Sequence, residues 1–158
     1  MESATPNNSD TLVIVTGATA SGKTALAVEL AQALGTEIIS ADSRQLYRDL
    51  AIGTAPPSAD QLAAVPHHFV GNLGLGQYYS AAQFEEDVMR LLPDIFSRCG
   101  SRAVMAGGSM MYIDAVTKGI DDIPTVTPEI RTAIYKQFEE EGLSPIPVSY
   151  THLTLPTN

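Results

Sequence analysis

The stretch Gly17-Ala18-Thr19-Ala20-Ser21-Gly22-Lys23-Thr24 sits directly after the apolar run Leu12-Val13-Ile14-Val15 and directly before the helical pattern Ala25-Leu26-Ala27-Val28-Glu29-Leu30. Strand, loop and helix in that order make the first half of a parallel α/β unit. The two glycines let the backbone curl until successive N–H groups point inward at phosphate oxygens, and the following helix aims its positive end at the same place. Lys23 adds a point charge there, and the Thr24 hydroxyl can ligate a magnesium ion. A chance glycine-rich turn is the competing explanation, but a complete G-x-x-x-x-G-K-[ST] between a strand and a helix argues for phosphate binding. The loop itself leaves open whose phosphate is bound.

A chain of 158 residues with 44% hydrophobic content can bury a core of its own, so one globular domain is expected. Its formal net charge of -9, with only 9 Lys and Arg spread along the sequence, argues against a general nucleic-acid-binding surface, because neutralising phosphates takes clustered cations. Any nucleic-acid partner has to be held locally. The single Cys99 excludes an internal disulfide and a cysteine-built metal site, which fits a cytoplasmic location. No stretch is long and apolar enough for a membrane span. Residues 1–10 are polar and lack the apolar segment of a signal peptide, so they are expected to be a disordered leader.

Along the chain, residues 11–16 read as a buried strand, and the pattern over 23–34 predicts a helix with Leu26, Leu30 and Leu34 on one face and Gly35 as its stop. Residues 37–41 form a second short strand. It ends on Asp42-Ser43-Arg44-Gln45, a polar cluster placed where parallel sheets present their ligand sites. Residues 53–58 are a loop, 58–65 a short helix closed by Pro66, 67–70 a brief strand, and the glycine-bearing 71–77 a flexible loop. Ser80-Ala81-Ala82-Gln83 is a capping box that opens a helix with Phe84, Val88, Leu91, Leu92 and Ile95 at helical spacing and a kink at Pro93. Glu85, Glu86 and Asp87 read as its solvated face rather than as a metal site. Residues 102–106 are a third core strand, and Gly107-Gly108-Ser109 is a second tight strand-to-helix turn before a helix reaching about Lys118. Two glycine-bearing turns therefore face one space. Residues 121–126 are a linker, and Thr127-Pro128-Glu129 opens a last helix with Ile130, Ile134 and Phe138 on one face and Gly142 beyond its end.

Chemistry alone gives Asp42 three readings: a general base, a magnesium-shell carboxylate, or the N-cap of the next segment. Ser109 can offer its hydroxyl and N–H to phosphate oxygens or simply cap a helix. Lys23 does not by itself distinguish a kinase from a transferase.

Several blocks together resemble the tRNA dimethylallyltransferases, also called tRNA isopentenyltransferases, over most of the chain to about Glu141. They are the phosphate loop; Asp42-Ser43-Arg44-Gln45-Leu46-Tyr47-Arg48 leading to Ile52-Gly53-Thr54-Ala55; Pro66-His67-His68; Tyr79-Ser80-Ala81-Ala82-Gln83-Phe84; and Gly107-Gly108-Ser109 leading to Tyr112. The resemblance implies transfer of a dimethylallyl group from its diphosphate to the exocyclic amine of an adenosine beside the tRNA anticodon. By that analogy residues 17–24 bind the donor's diphosphate rather than ATP, with Lys23 neutralising it and Thr24 on Mg²⁺. Asp42 matches the family's catalytic aspartate, which orients and deprotonates the amine once the target base is flipped from its stack. Ser43, Arg44 and Gln45 match the stretch that touches the tRNA, with Gln45 suited to reading a base edge, and Ser109 and Arg131 match further positions that contact tRNA or position the reacting groups. The resemblance implies tRNA and dimethylallyl diphosphate as partners; no membrane partner is expected, and the protein is expected to be a monomer.

The chain departs from the family pattern at Ala18, where Pro is frequent, at Pro56, where Lys is common, and at Ser109, which replaces Thr. His67 and His68 are read as structural, because no third metal ligand accompanies them at suitable spacing. Residues 147–158 contain no charged residue, and 148–157 back-translate to a sequence resembling a transposon-end sequencing adapter, so the tail is expected to be foreign and the gene truncated. The expected organisation is a leader over 1–10, a partial catalytic core over 11–126, the start of a helical tRNA-binding insertion over 127–147 and a non-native tail over 148–158. The expected fold is a three-layer α/β P-loop domain with a parallel sheet, incomplete at its C-terminal side. Two other functions stay open: a small-molecule P-loop kinase using ATP, and an inactive fragment that binds diphosphate without turnover.

Overall fold

The computed structural model describes residues 10–18, 20–50, 52–120 and 126–142. The chain divides into two compact units between Ile120 and Asp121. The expected linker at 121–125 and the tail at 148–158 lie outside the described residues, as does most of the leader.

The first unit holds four parallel strands: β1 (Thr11–Thr16), β2 (Ile38–Ser40), β3 (His67–His68) and β4 (Arg102–Gly107). Their order across the sheet is β1-β4-β2-β3. Side chains alternate between the two faces along each strand. Leu12 and Ile14 join Ile39, Ala103 and Met105 on one face, whereas Val13 and Val15 join Ile38, Val104 and Ala106 on the other. Because both faces are covered, the strands read as unbroken apolar runs instead of polar-apolar alternation.

Helix α1 (Lys23–Leu34) covers the second of these faces, through Ala27, Val28 and Ala31. This differs from the expected Leu26-Leu30-Leu34 face: Leu26 is 49% exposed, and Leu30 and Leu34 pack only at the margin. Small side chains at 27 and 31 let the helix lie close on the sheet, so its contact line falls on alanines rather than on the larger leucines. Gly35 ends α1 as expected, donating to Ala31 and Gln32 carbonyls.

Helix α2 (Ala59–Ala64) opens on Ser58 in a full capping box with Gln61. Helices α3 (Ala81–Arg98) and α4 (Met110–Lys118) cover the opposite face, with Phe84, Val88, Ile95 and Tyr112 in the core. The expected box at the start of α3 is present: Ser80 Oγ accepts from Gln83 N, and Gln83 Oε1 accepts from Ser80 N. Phe84 stacks on Tyr112 at 4.6 Å between ring centroids and meets Phe69 edge-on at 5.1 Å. Burial pushes the Tyr112 hydroxyl pKa up. Pro93 lies inside α3, which continues to Arg98 without the N–H that residue 93 would otherwise donate.

The acidic run on α3 is partly engaged. Arg90 pairs with Glu86 and Asp87, and the Tyr79 hydroxyl donates to Asp87 at 2.7 Å. Burial, reinforced by that carboxylate, raises the Tyr79 pKa above its ordinary value. The 71–77 segment, expected to be flexible, is fastened to the chain after β2: Gly71 N donates to Gln45 O, Leu73 N to Leu46 O, and Arg48 N to Leu73 O. These bonds convert a glycine-rich loop into a lateral extension of the sheet edge, with Tyr47 and Leu73 bridged in parallel.

The second unit contributes α5 (Pro128–Glu141), capped by Thr127, whose hydroxyl accepts from Ile130 N. Its apolar positions Ile130, Ile134 and Phe138 are 55%, 46% and 43% exposed. The anticipated apolar face is thus present on the helix and open to solvent.

Candidate active site at the phosphate loop

β1 leads into α1 on one face of the sheet, and its neighbour β4 leads into α4 on the other. Divergence of adjacent connections opens a crevice at the carboxyl ends of the two strands, which is where ligands bind in open α/β sheets. The phosphate loop and the 107–109 turn both stand at this crevice, in agreement with the two turns expected to share one space.

Within the loop, Gly22 caps α1 with φ +84°, a left-handed conformation that suits a residue without Cβ. Ala20 is left-handed as well, with φ +62°. The helix opens on Lys23, and the Lys23 ammonium turns back onto the Ala18 carbonyl. This contact holds the charge at the loop mouth. Thr19, expected to belong to the loop, lies outside the described residues.

Gly107 brings the second turn in. Ala41 N donates to Ala106 O at 2.8 Å, and Ser109 N donates to Ala41 O at 3.1 Å, so the end of β2 is gripped from both sides of Gly107. A Cβ at position 107 would lie 2.1 Å from the Ala41 carbonyl oxygen. Glycine is required here for space, and the close approach sets Asp42 beside the turn that opens α4. Ser109 stands at the N-cap of α4 but makes no side-chain cap bond. Its Oγ instead accepts from Ser43 N at 2.8 Å and donates to Ser43 Oγ at 3.1 Å, which ties the turn after β4 to the polar cluster after β2.

Asp42 Oδ1 accepts from the backbone N–H groups of Arg44 at 3.0 Å and Gln45 at 3.3 Å. One carboxylate oxygen thus closes the turn over residues 43–46, which is not a helix, so the expected helix N-cap at Asp42 is not formed. No described residue pairs with Oδ2, and the side chain is only partly buried, so that oxygen stays available for chemistry.

Gln45 is committed within the chain. Its Nε2 donates to Thr54 O and Ala55 O, both at 3.1 Å, and its Oε1 accepts from Ser40 Oγ at 3.2 Å. These bonds hold Ala55 at φ +45°, a strained conformation for alanine. Arg44 is exposed.

A cavity of about 410 Å³ occupies the crevice. It is lined by Ser21, Lys23 and Thr24 of the loop and first turn, together with Asp42 and Gln45. Thr54, Gln61 and His67 complete the wall, and none of these three stood out from the sequence as a site residue. Thr54 and Gln61 could have been found from their neighbours, since Gln45 anchors the first and the Ser58 capping box fixes the second. Gly17, Ala18, Ser43, Arg44 and Ser109 stand outside the lining, although Ser43 and Ser109 brace it from behind Asp42. Arg131 belongs to the second unit, on α5.

Thr24 and Asp42 give the cavity two hard oxygen donors, and the described residues contain no cluster of three His, Cys, Asp or Glu that could hold a metal. That donor set fits Mg²⁺, which takes one or two protein oxygens and completes its shell with phosphate and water. It does not fit zinc, which needs several N or S ligands.

A parallel sheet covered by helices on both faces, with this loop and cavity at its edge, defines an α/β protein with a P-loop-like fold. A family model described as IPP transferase matches residues 45–153, more than half of the chain. The chain belongs to that family. It is 60% identical over 137 residues to tRNA dimethylallyltransferase 2 of Parabacteroides distasonis, covering 87% of this chain and 46% of that protein. It is 54% identical over 134 residues to tRNA dimethylallyltransferase 1 of Phocaeicola vulgatus, covering 85% and 44%. Among solved structures it resembles the full-length tRNA isopentenylpyrophosphate transferase of Bacillus halodurans, with TM-score 0.68, 32% identity, and coverage of 85% of this chain and 44% of that one. It also resembles a eukaryotic dimethylallyltransferase acting on tRNA, with TM-score 0.64, 29% identity, and coverage of 76% and 30%. The chain spans under half the length of the curated relatives it matches.

Proposed function

We propose that the protein, at its full length, transfers a dimethylallyl group from dimethylallyl diphosphate to the exocyclic amine of the adenosine adjacent to the tRNA anticodon. The observation that carries this reading is the placement of Lys23, Thr24 and Asp42 in one cavity of a chain that belongs to the IPP transferase family. Residues 17–24 bind the diphosphate through backbone N–H groups, and Lys23 exchanges its contact with Ala18 O for the leaving-group oxygens. Thr24 Oγ1 would hold Mg²⁺, which would supply charge neutralisation of the departing diphosphate.

Asp42 acts through Oδ2. With Oδ1 fixed by the Arg44 and Gln45 N–H groups, the carboxylate plane is set before substrate arrives, and the free oxygen orients the amine and accepts its proton. Ser43 and Ser109 keep Asp42 in place through their mutual bonds and offer polar contacts to the tRNA. Arg44, exposed at the rim, contacts the tRNA backbone, and Arg131 adds a second cationic contact. Gln45 acts chiefly by fixing the 54–55 segment of the cavity wall. With a net charge of -9 on this chain, tRNA is gripped locally rather than over a general basic surface, and the protein works as a monomer.

The test uses the gene product read through to its own stop codon, incubated with dimethylallyl diphosphate labelled in the alkyl group, tRNA and Mg²⁺. In parallel it receives γ-labelled ATP with small acceptors. Alkyl label on tRNA is the expected outcome, and label transferred only from ATP would replace this reading with a kinase.

A further inference from the structure

His67 and His68 are neighbours on β3 with opposite fates. Side chains of adjacent strand residues point to opposite faces. His68 Nε2 lies 2.6 Å from Glu37 Oε2, and Glu37 also receives Arg98, so this nitrogen has its partner. His67 Nδ1 lies 2.8 Å from Val65 O. A carbonyl only accepts, so Nδ1 carries the proton and the ring is fixed in orientation. Its Nε2 is buried and has no hydrogen-bond partner among the described residues. The same residue lines the cavity that holds Lys23, Thr24 and Asp42.

A buried polar atom of this kind calls for a partner, and the residue stands in the wall of the cavity. We propose that His67 is a diphosphate-binding residue: on binding of the anion, Nε2 takes up one proton from solvent and donates it in a hydrogen bond to a phosphate oxygen. One N–H bond forms and no bond of the ligand breaks. Imidazole suits this role because it is the side chain that gains or loses a proton near neutral pH. The charged or titratable groups on the surrounding elements are Lys23 and the exposed Glu29 on α1, Asp42 and Glu37 beyond the two ends of β2, Asp60 on α2, and His68 on β3 itself. Asp60 is exposed, and Glu37 is taken by His68 and Arg98. The inference rests on the reading of this cavity as a diphosphate site.

The experiment titrates the purified chain with inorganic pyrophosphate and follows the ring nitrogens of its three histidines by long-range ¹H–¹⁵N correlation. Spectra of His67→Gln and His68→Gln supply the assignment. Nε2 of His67 is expected to move from the unprotonated to the protonated range while Nδ1 stays in place. Calorimetry in buffers of different ionisation enthalpy should show proton uptake that His67→Gln abolishes, with affinity about tenfold weaker. An unmoved Nε2 signal at saturating pyrophosphate overturns the proposal, even if the variant does not fold. Lys23→Ala separates the two readings: if wild type binds pyrophosphate and Lys23→Ala does not, a silent His67 removes this inference and leaves the diphosphate site. Absence of binding by wild type removes both.

Discussion

Replacing Gly107 by alanine places a Cβ 2.1 Å from the carbonyl oxygen, 2.3 Å from the carbonyl carbon and 2.8 Å from the Cα of Ala41. All three are backbone atoms, so no rotamer change relieves the contact. β4 and the end of β2 have to separate by roughly 1 Å or more before the approach becomes tolerable. That separation breaks the Ala41 N to Ala106 O and Ser109 N to Ala41 O hydrogen bonds, each worth about 1 kcal/mol. Overpacking at a filled site adds about 1–3 kcal/mol. The expected loss is therefore about 3–5 kcal/mol, a large share of the stability of a domain this size. The same displacement pulls Asp42 and Ser43 away from Ser109, so pyrophosphate affinity should fall together with stability. Urea unfolding followed by circular dichroism reads the first effect, and calorimetric titration reads the second. A Gly107→Ala chain within about 0.5 kcal/mol of wild type, binding pyrophosphate equally well, would refute the argument that close approach at residue 107 builds the site.

Three further perturbations follow from individual contacts. Ser80→Ala removes the N-cap of α3 and leaves Gln83 N without its acceptor, and urea unfolding should show a loss of about 1 kcal/mol. Gln45→Ala frees the Thr54 and Ala55 carbonyls and the strained Ala55 backbone. Limited proteolysis should then cut sooner within residues 52–57, with weaker pyrophosphate binding, and an unchanged cleavage pattern would show that Gln45 does not hold that wall. Glu37→Gln breaks the pairing with Arg98 and His68 and should cost about 1–2 kcal/mol at pH 7, discounted for the half-exposed Arg98. The Arg98 hydrogen bond, aided by His68, holds the Glu37 pKa below its ordinary 4.5. Its stabilisation is therefore complete above that value and is lost as pH falls through the folded-state pKa. The wild-type advantage over Glu37→Gln should shrink below about pH 4.5, and a gap independent of pH would contradict the ion-pair explanation.

The elements of the sheet were legible because both of its faces are buried. Unbroken apolar runs at 12–15 and 103–106 could be little else than central parallel strands. Capping residues fixed several helix starts, as at Ser80 and Thr127, since a side-chain oxygen satisfying an orphan N–H is a local event. The buried face of α1 was not legible. Periodicity selected the leucines, whereas close packing on the sheet favours Ala27 and Ala31. Nor could local pattern place β4 between β1 and β2, because Thr11 pairs with Arg102 and Ile38 with Val104, far apart along the chain.

The candidate site divides in the same way. The phosphate loop carries its chemistry in contiguous residues, and Asp42 was found because it ends a strand at the ligand-bearing edge. Thr54, Gln61 and His67 enter the wall through tertiary contacts, and although Thr54 and His67 stand in blocks that carry the family resemblance, nothing in their types and spacing marked them as site residues. Gln45 illustrates the limit most clearly. Its amide was suited to reading a base edge, and the fold engages it with Ser40, Thr54 and Ala55 instead.

The central claim joins diphosphate held by the phosphate loop to proton acceptance by Asp42, and Asp42→Asn in the full-length gene product tests that junction. The variant keeps the Oδ1 acceptor for the Arg44 and Gln45 N–H groups and loses the basic oxygen. Transfer of alkyl label from dimethylallyl diphosphate to tRNA is followed alongside pyrophosphate affinity. The account predicts a fall in kcat of about 10²–10⁴-fold with pyrophosphate affinity within about twofold of wild type. Wild-type kcat in Asp42→Asn would contradict it.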